Sequence, residues 1–156
     1  MTVTGVPTKL GHVALRVRDL DRAVAFYRDV VGLPVKAQYA RVAFLGSRAD
    51  ASHEIALFAL DEDAPGPEAN LVGPGSASPL GPGLYHLAWE MASFQDLERF
   101  HERLLAHNTP ITGYSDRQSN VMFLDPDGNE NEALWEPSPE EQQRLAAAGG
   151  LPRLKH

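Results

Sequence analysis

Residues 10–35, LGHVALRVRDLDRAVAFYRDVVGLPV, are written a second time from residue 84, as LYHLAWEMASFQDLERFHERLLAHNTPI. An offset of 74 positions carries His12 onto His86, Ala14 onto Ala88 and Asp19 onto Ser93, with no gap. It also carries Ala23, Phe26, Val30 and Val31 onto Leu97, Phe100, Leu104 and Leu105. Each copy opens with a short alternating run. Val13, Leu15 and Val17 share one face and His12, Ala14 and Arg16 the other; Leu87, Trp89 and Met91 oppose His86, Ala88 and Glu90. Side chains alternate along a strand, so each histidine leaves the apolar face and sits beside a small alanine.

A helix is predicted to follow each strand. Asp19 or Asp21 caps the first, Ala23, Phe26, Tyr27 and Val30 give its apolar stripe, and Gly32 stops it. Ser93 starts the second, with Asp96 three residues on; Leu97, Phe100, Leu104 and Leu105 form its stripe, and Pro110 follows its end. Strand-like runs complete each unit. In the first copy they are Tyr39 to Leu45, a polar turn, and His53 to Leu60. In the second they are Ser119 to Leu124 and Glu130 to Glu136, joined by Asp125-Pro126-Asp127-Gly128-Asn129, with a further strand near Ile111 to Tyr114. Proline presets φ in that turn and glycine accepts a positive φ, so a tight hairpin is expected.

The 23 residues 61–83 hold five prolines and five glycines, a composition that excludes helix and central strand and reads as a linker rather than a lid. The organisation expected is a single domain over 1–137, with one module at about 8–60 and a second at about 84–137, then a C-terminal helix and tail at 138–156. Ser138-Pro139-Glu140-Glu141 starts that helix and Gly149-Gly150 ends it.

A chain of 156 residues buries roughly 70% of the surface that its unfolded form exposes, enough for a core without staples. It has no cysteine, which excludes disulfides, thiolate metal sites and cysteine nucleophiles. A net charge of −7 without a basic run argues against nucleic acid and anionic membrane surfaces as partners. No apolar stretch approaches the roughly 20 residues of a membrane span, and the first residues lack a secretory pattern, so a cytoplasmic location is expected.

One imidazole per repeated unit suggests two metal ligands brought together by pseudo-twofold symmetry. Two imidazoles bind a divalent ion poorly alone, and the last strand offers Glu130, Glu132 and Glu136 on one face, with Glu132 mid-strand and best placed. Two histidines and a carboxylate leave coordination positions open, the arrangement suited to non-haem Fe(II) enzymes.

The chain resembles the vicinal oxygen chelate superfamily, which includes glyoxalases, bleomycin- and fosfomycin-resistance proteins and extradiol dioxygenases. GHVALRVRDLDRAVAFYRDVVGL, SHEIALF, GLYHLAWEM and FLDPDGNENEALWEP carry the resemblance over nearly all of residues 8–136. It implies an α+β fold, two tandem βαβββ modules forming a curled mixed sheet around a metal cup, with the ligand pattern falling on His12, His86 and Glu132. Fe(II) is the metal expected, and the same donor set accepts Mn(II), Ni(II), Co(II) or Zn(II).

Among the chemistries of that superfamily, isomerases generally use four protein ligands. Matching IALF with EALW by their Ala-Leu-aromatic core sets Ile55 opposite Glu132, which leaves the first copy without its carboxylate; Glu54 lies one residue away, facing the opposite side. His53 looks like the histidine that one-site extradiol enzymes carry beside the open coordination positions, where it would move protons. Such enzymes also place a histidine before the last hairpin and a tyrosine within it. Here that stretch offers Ser115, Asp116 or Gln118 and then Met122, with Tyr114 and Arg117 as substitutes. His101, His107 and His156 read as surface residues. The resemblance thus points to an Fe(II) extradiol-type dioxygenase taking a small catechol-like aromatic and dioxygen, probable exposed sheet edges making a homodimer plausible. The alternatives are an isomerase or Mn(II) thiol transferase on the same ligands, and a metal-free drug-binding module.

Overall fold

The computed structural model describes residues 7, 9–61, 84–115 and 119–155. Most of the proline- and glycine-rich stretch, Arg117 and His156 lie outside the described residues. The chain divides into two compact units, Met1–Ala64 and Pro65–His156.

In the first unit, β1 (Val13–Val17) leads to α1 (Leu20–Ala25), which continues as a π-helical segment over Phe26–Val31. Three strands follow: β2 (Val35–Tyr39), β3 (Val42–Leu45) and β4 (Ile55–Ala59). In the second unit, β5 (Leu87–Glu90) leads to α2 (Phe94–Ala106), then β6 (Ile111–Gly113), β7 (Asn120–Leu124) and β8 (Glu130–Leu134). A third helix, α3 (Pro139–Ala147), closes the order. The two sheets share one topology. Their strand orders are β1-β4-β3-β2 and β5-β8-β7-β6. The first strand of each pairs parallel with the last, and the rest pair antiparallel. The fold is α+β, built of two βαβββ modules in tandem.

Local chemistry explains the boundaries. The Asp19 side chain accepts a hydrogen bond from the Arg22 backbone N–H at 3.0 Å, which selects it over Asp21 as the cap of α1. Gly32, at φ 93°, ends the π-helical segment in the left-handed region that only glycine adopts without strain. Ser93 caps α2 through the Asp96 N–H at 3.1 Å, and Ser138 caps α3 through the Glu141 N–H at 3.2 Å. The Asp125 carboxylate organises the β7–β8 hairpin. It accepts from the backbone of Asp127 at 2.9 Å and of Asn129 at 2.8 Å, and from the Asn129 side chain at 2.9 Å.

In each unit one sheet face packs on the helix. Leu15, Val17, Ala43, Leu45, Ile55 and Leu57 are buried beneath α1 and its extension, whose Ala23, Val24, Tyr27 and Val30 face them. Val121, Phe123, Asn131 and Ala133 do the same in the second unit, against Leu97, Phe100 and Leu104. Asn131 is the polar member of that core; it accepts from the Trp89 indole N–H at 2.9 Å, tying β8 to β5.

Four expectations need correction. The run Tyr39 to Leu45 holds only the last residue of β2, a turn at Ala40-Arg41 without turn-forming residues, and β3, so that β2 itself, from Val35, is an additional strand. Leu105 is 55% exposed and leaves the stripe of α2, whose place is taken by His101, buried at 5% exposure and therefore no surface residue. Positions 97, 100, 101 and 104 are the i, i+3, i+4, i+7 set, and Leu105 falls at its margin. Phe26 is likewise only half-buried, and Leu20 and Val24 complete the stripe of α1. Finally, parallel pairing sets Ala14 beside Ala56 and Ala88 beside Glu132. With Ala14 equivalent to Ala88, the residue of the first unit matching Glu132 is Ala56 rather than Ile55.

Candidate functional site

The helix-free face of each sheet carries the candidate residues. His12 and His86 immediately precede β1 and β5, in equivalent places. In the second unit, strand pairing alone brings a carboxylate beside the imidazole. Glu132 pairs with Ala88, two residues beyond His86, and its Oε2 lies 3.2 Å from His86 Nε2. Glu132 Oε1 accepts a hydrogen bond from Asn120 Nδ2, and Asn120 Oδ1 accepts from the Ser115 backbone N–H at 2.6 Å. Both members are largely shielded, with side-chain exposures of 29% for His86 and 16% for Glu132. His86 Nδ1 is buried without a hydrogen-bond partner among the described residues.

This pair fits a shared divalent ion. Adjacent donor atoms, each about 2.1 Å from an octahedral ion, stand about 3 Å from one another. The His86–Glu132 separation matches that spacing. Within either unit, no three His, Asp or Glu side chains among the described residues gather into a metal site.

In the first unit, position 56 is alanine, so His12 has no carboxylate of that kind beside it. Its neighbour is His53, with ring centroids 4.4 Å apart. Phe44 packs on the other ring contact of His53 at 4.8 Å. The Ser52 hydroxyl lies 2.9 Å from His53 Nδ1. Glu54 is committed elsewhere: its Oε2 accepts from the backbone N–H groups of Ser47 at 2.5 Å and Arg48 at 3.3 Å. A Cβ on Gly46 would stand 2.9 Å from that carboxylate oxygen and 3.2 Å from His53 Cα, so only glycine lets the chain pass so near. The first unit thus has alanine at the position matching Glu132, and its neighbouring Glu54 is engaged by backbone N–H groups.

Tyr114 follows β6 and is engaged by α2. Its hydroxyl lies 2.8 Å from Nε2 of the buried His101 on α2, and burial pushes its pKa up. Arg117 lies outside the described residues. Met122 pairs directly with Glu132 on the adjacent strand. One residue escaped sequence reading. Asn120 has no motif to mark it, since its part emerges only once β7 is paired with β8. Glu130, 4% exposed, bonds Thr112 at 2.8 Å and keeps one buried oxygen without a partner among the described residues.

Residues 9–133 match the Glyoxalase/Bleomycin resistance protein/Dioxygenase superfamily, and the chain belongs to it. It is 32% identical over 131 residues to a catechol-2,3-dioxygenase of Bacillus subtilis, covering 83% of this chain and 42% of that protein. A manganese-dependent 2,3-dihydroxybiphenyl 1,2-dioxygenase of Geobacillus genomosp. 3 is 28% identical over 109 residues, covering 70% of this chain and 29% of the relative. The chain therefore spans less than half the length of either curated relative. Among solved structures, a glyoxalase/dioxygenase from Nostoc punctiforme superimposes with a TM-score of 0.68 at 24% identity, over 88% of this chain and 97% of that one. That likeness supports the fold. No helix among the described residues is long and apolar enough to cross a membrane.

Proposed function

We propose that the protein is a non-haem Fe(II) dioxygenase of the extradiol type, opening the ring of a small catechol-like aromatic. The ligands in this reading are His12 of the first unit and His86 and Glu132 of the second. The observation that carries it is the His86 Nε2–Glu132 Oε2 spacing of 3.2 Å, a ring-nitrogen and carboxylate-oxygen pair at the separation that two ligands of one divalent ion would have. The two dioxygenase relatives support the reaction class, and one of them is named for manganese, so Mn(II) is the alternative metal.

A bound Fe(II) supplies Lewis acidity toward vicinal hydroxyls and redox capacity toward dioxygen. The chain supplies the rest. Ala14 and Ala56 leave the face of the first sheet beside His12 without bulk, and Ala88 does the same beside His86 in the second. Phe44, Phe58 and Val42 share the helix-free face of the first sheet and offer apolar walls. His53 is held between His12 and Phe44 with Nδ1 against Ser52, so Nε2 is the atom left to take a hydroxyl proton and return it later. Tyr114, bonded to His101, has no part in this proton transfer.

A second reading keeps the ligands and changes the chemistry, to an isomerase or a Mn(II) thiol transferase. It is favoured by Met122, which stands opposite Glu132 and cannot donate a proton. Anaerobic loading with Fe(II), followed by oxygen uptake with a panel of catechols, separates the two. The dioxygenase reading predicts one dioxygen consumed per ring and a yellow product. Metal bound with no oxygen consumed contradicts it and leaves the second reading.

A further inference from the structure

Asn120, the first residue of β7, stands between a backbone donor and the Glu132 carboxylate. A backbone N–H can only donate, so the atom of Asn120 facing Ser115 N at 2.6 Å has to be the amide oxygen. The orientation of the amide then follows without ambiguity, and its NH₂ end is turned to Glu132 Oε1. Oε1 is thereby engaged, and Oε2 is the oxygen presented to His86 at 3.2 Å. The last torsion of a glutamate is broad and roughly two-fold, so the strand alone does not choose between its oxygens. Met122, the cross-strand partner of Glu132, offers no hydrogen-bond donor for the task. The equivalent place in the first unit has no carboxylate to hold, because position 56 is alanine.

We propose that Asn120 is a positioning residue for the His86–Glu132 pair. Clamped by Ser115, it fixes the carboxylate through Oε1, selects Oε2 as the oxygen beside the imidazole, and so presents a single-oxygen ligand to a divalent cation. The cation part of this proposal rests on the ligand reading of His86 and Glu132; the fixing of the pair does not. A group that orients a metal ligand typically contributes tenfold to a hundredfold in metal affinity.

The test compares the wild-type chain with Asn120→Leu, which fills the space without hydrogen bonds, and Asn120→Ala, in case leucine disturbs the fold. Thermal melts check that each variant is folded. Mn(II) affinity is measured by electron paramagnetic resonance, and the His86 ring ¹⁵N signals are recorded in the metal-free proteins. The expected result is Mn(II) binding weakened tenfold to a hundredfold, with the His86 signals displaced. Wild-type Mn(II) affinity in both folded variants overturns the proposal. Should the wild type bind no Mn(II), the ligand reading fails and the metal-free spectra decide the rest: unchanged His86 signals in the variants overturn the fixing of the pair as well. Tight Mn(II) binding without oxygen uptake removes the dioxygenase reading and leaves the role of Asn120 standing.

Discussion

Gly46 illustrates how much of this site depends on single residues outside it. A methyl group there meets the Glu54 carboxylate at 2.9 Å and the Glu54 backbone nitrogen at 3.0 Å, and the second contact cannot swing away. Gly46→Ala is expected to destabilise the fold by about 1–3 kcal/mol and to lower kcat by displacing His53, as read by denaturant titration and oxygen uptake. Asp125 is the corresponding point in the second unit. Its carboxylate takes three hydrogen bonds in a buried hairpin, so Asp125→Ala is expected to cost about 2 kcal/mol or more by the same titration. Tyr114 gives a pH signature. Burial raises its pKa in the folded protein, so the stabilisation is present below the ordinary value of 10.0 and is lost as pH rises through the higher folded value. Tyr114→Phe should lack that part of the alkaline loss; an alkaline slope identical to that of the wild type would contradict the assignment.

The helices and strands separate what periodicity reveals from what it conceals. The strand-helix-strands order of both units was legible in the repeated apolar spacing, and so were the caps at Ser93 and Ser138 and, with Asp21 as an alternative, at Asp19, because capping needs only a polar side chain at one local position. β2 was not, since Ala40-Arg41 carries no glycine, proline or asparagine to announce a turn. The match of Glu132 to Ile55 failed for a related reason: Ala-Leu-aromatic similarity compares compositions, whereas register is set by hydrogen bonds between strands. His86 and Glu132, which strand pairing brings together, were singled out through duplication and motif, as was His12, their proposed third partner. Asn120 was not, because an amide acquires a function only from what stands opposite it. The faces of α2 supply a direct comparison. Leu104→Ala removes a fully buried side chain and is expected to cost about 2–5 kcal/mol, while Leu105→Ala, one position on, should fall within about 0.5 kcal/mol in the same denaturant titration.

At the scale of the whole molecule, the two repeated units differ at matched positions. The two units share one topology and one histidine at the matched position, yet only the second has a carboxylate at the position matching Glu132, while the first carries His53 and Phe44 in contact. One unit thus holds two of the three proposed ligands, and the other holds one ligand together with the candidate proton carrier. In the proposed reading, this asymmetry leaves three ligands, where isomerases of the superfamily generally use four. It also makes His12 the residue on which the account turns, because the His86–Glu132 pair exists within the second unit regardless. The most direct measurement is Mn(II) affinity in the wild type and in His12→Ala, His86→Ala and Glu132→Ala. The account predicts one ion per chain and a loss of at least tenfold in all three variants. Wild-type affinity in folded His12→Ala would contradict it.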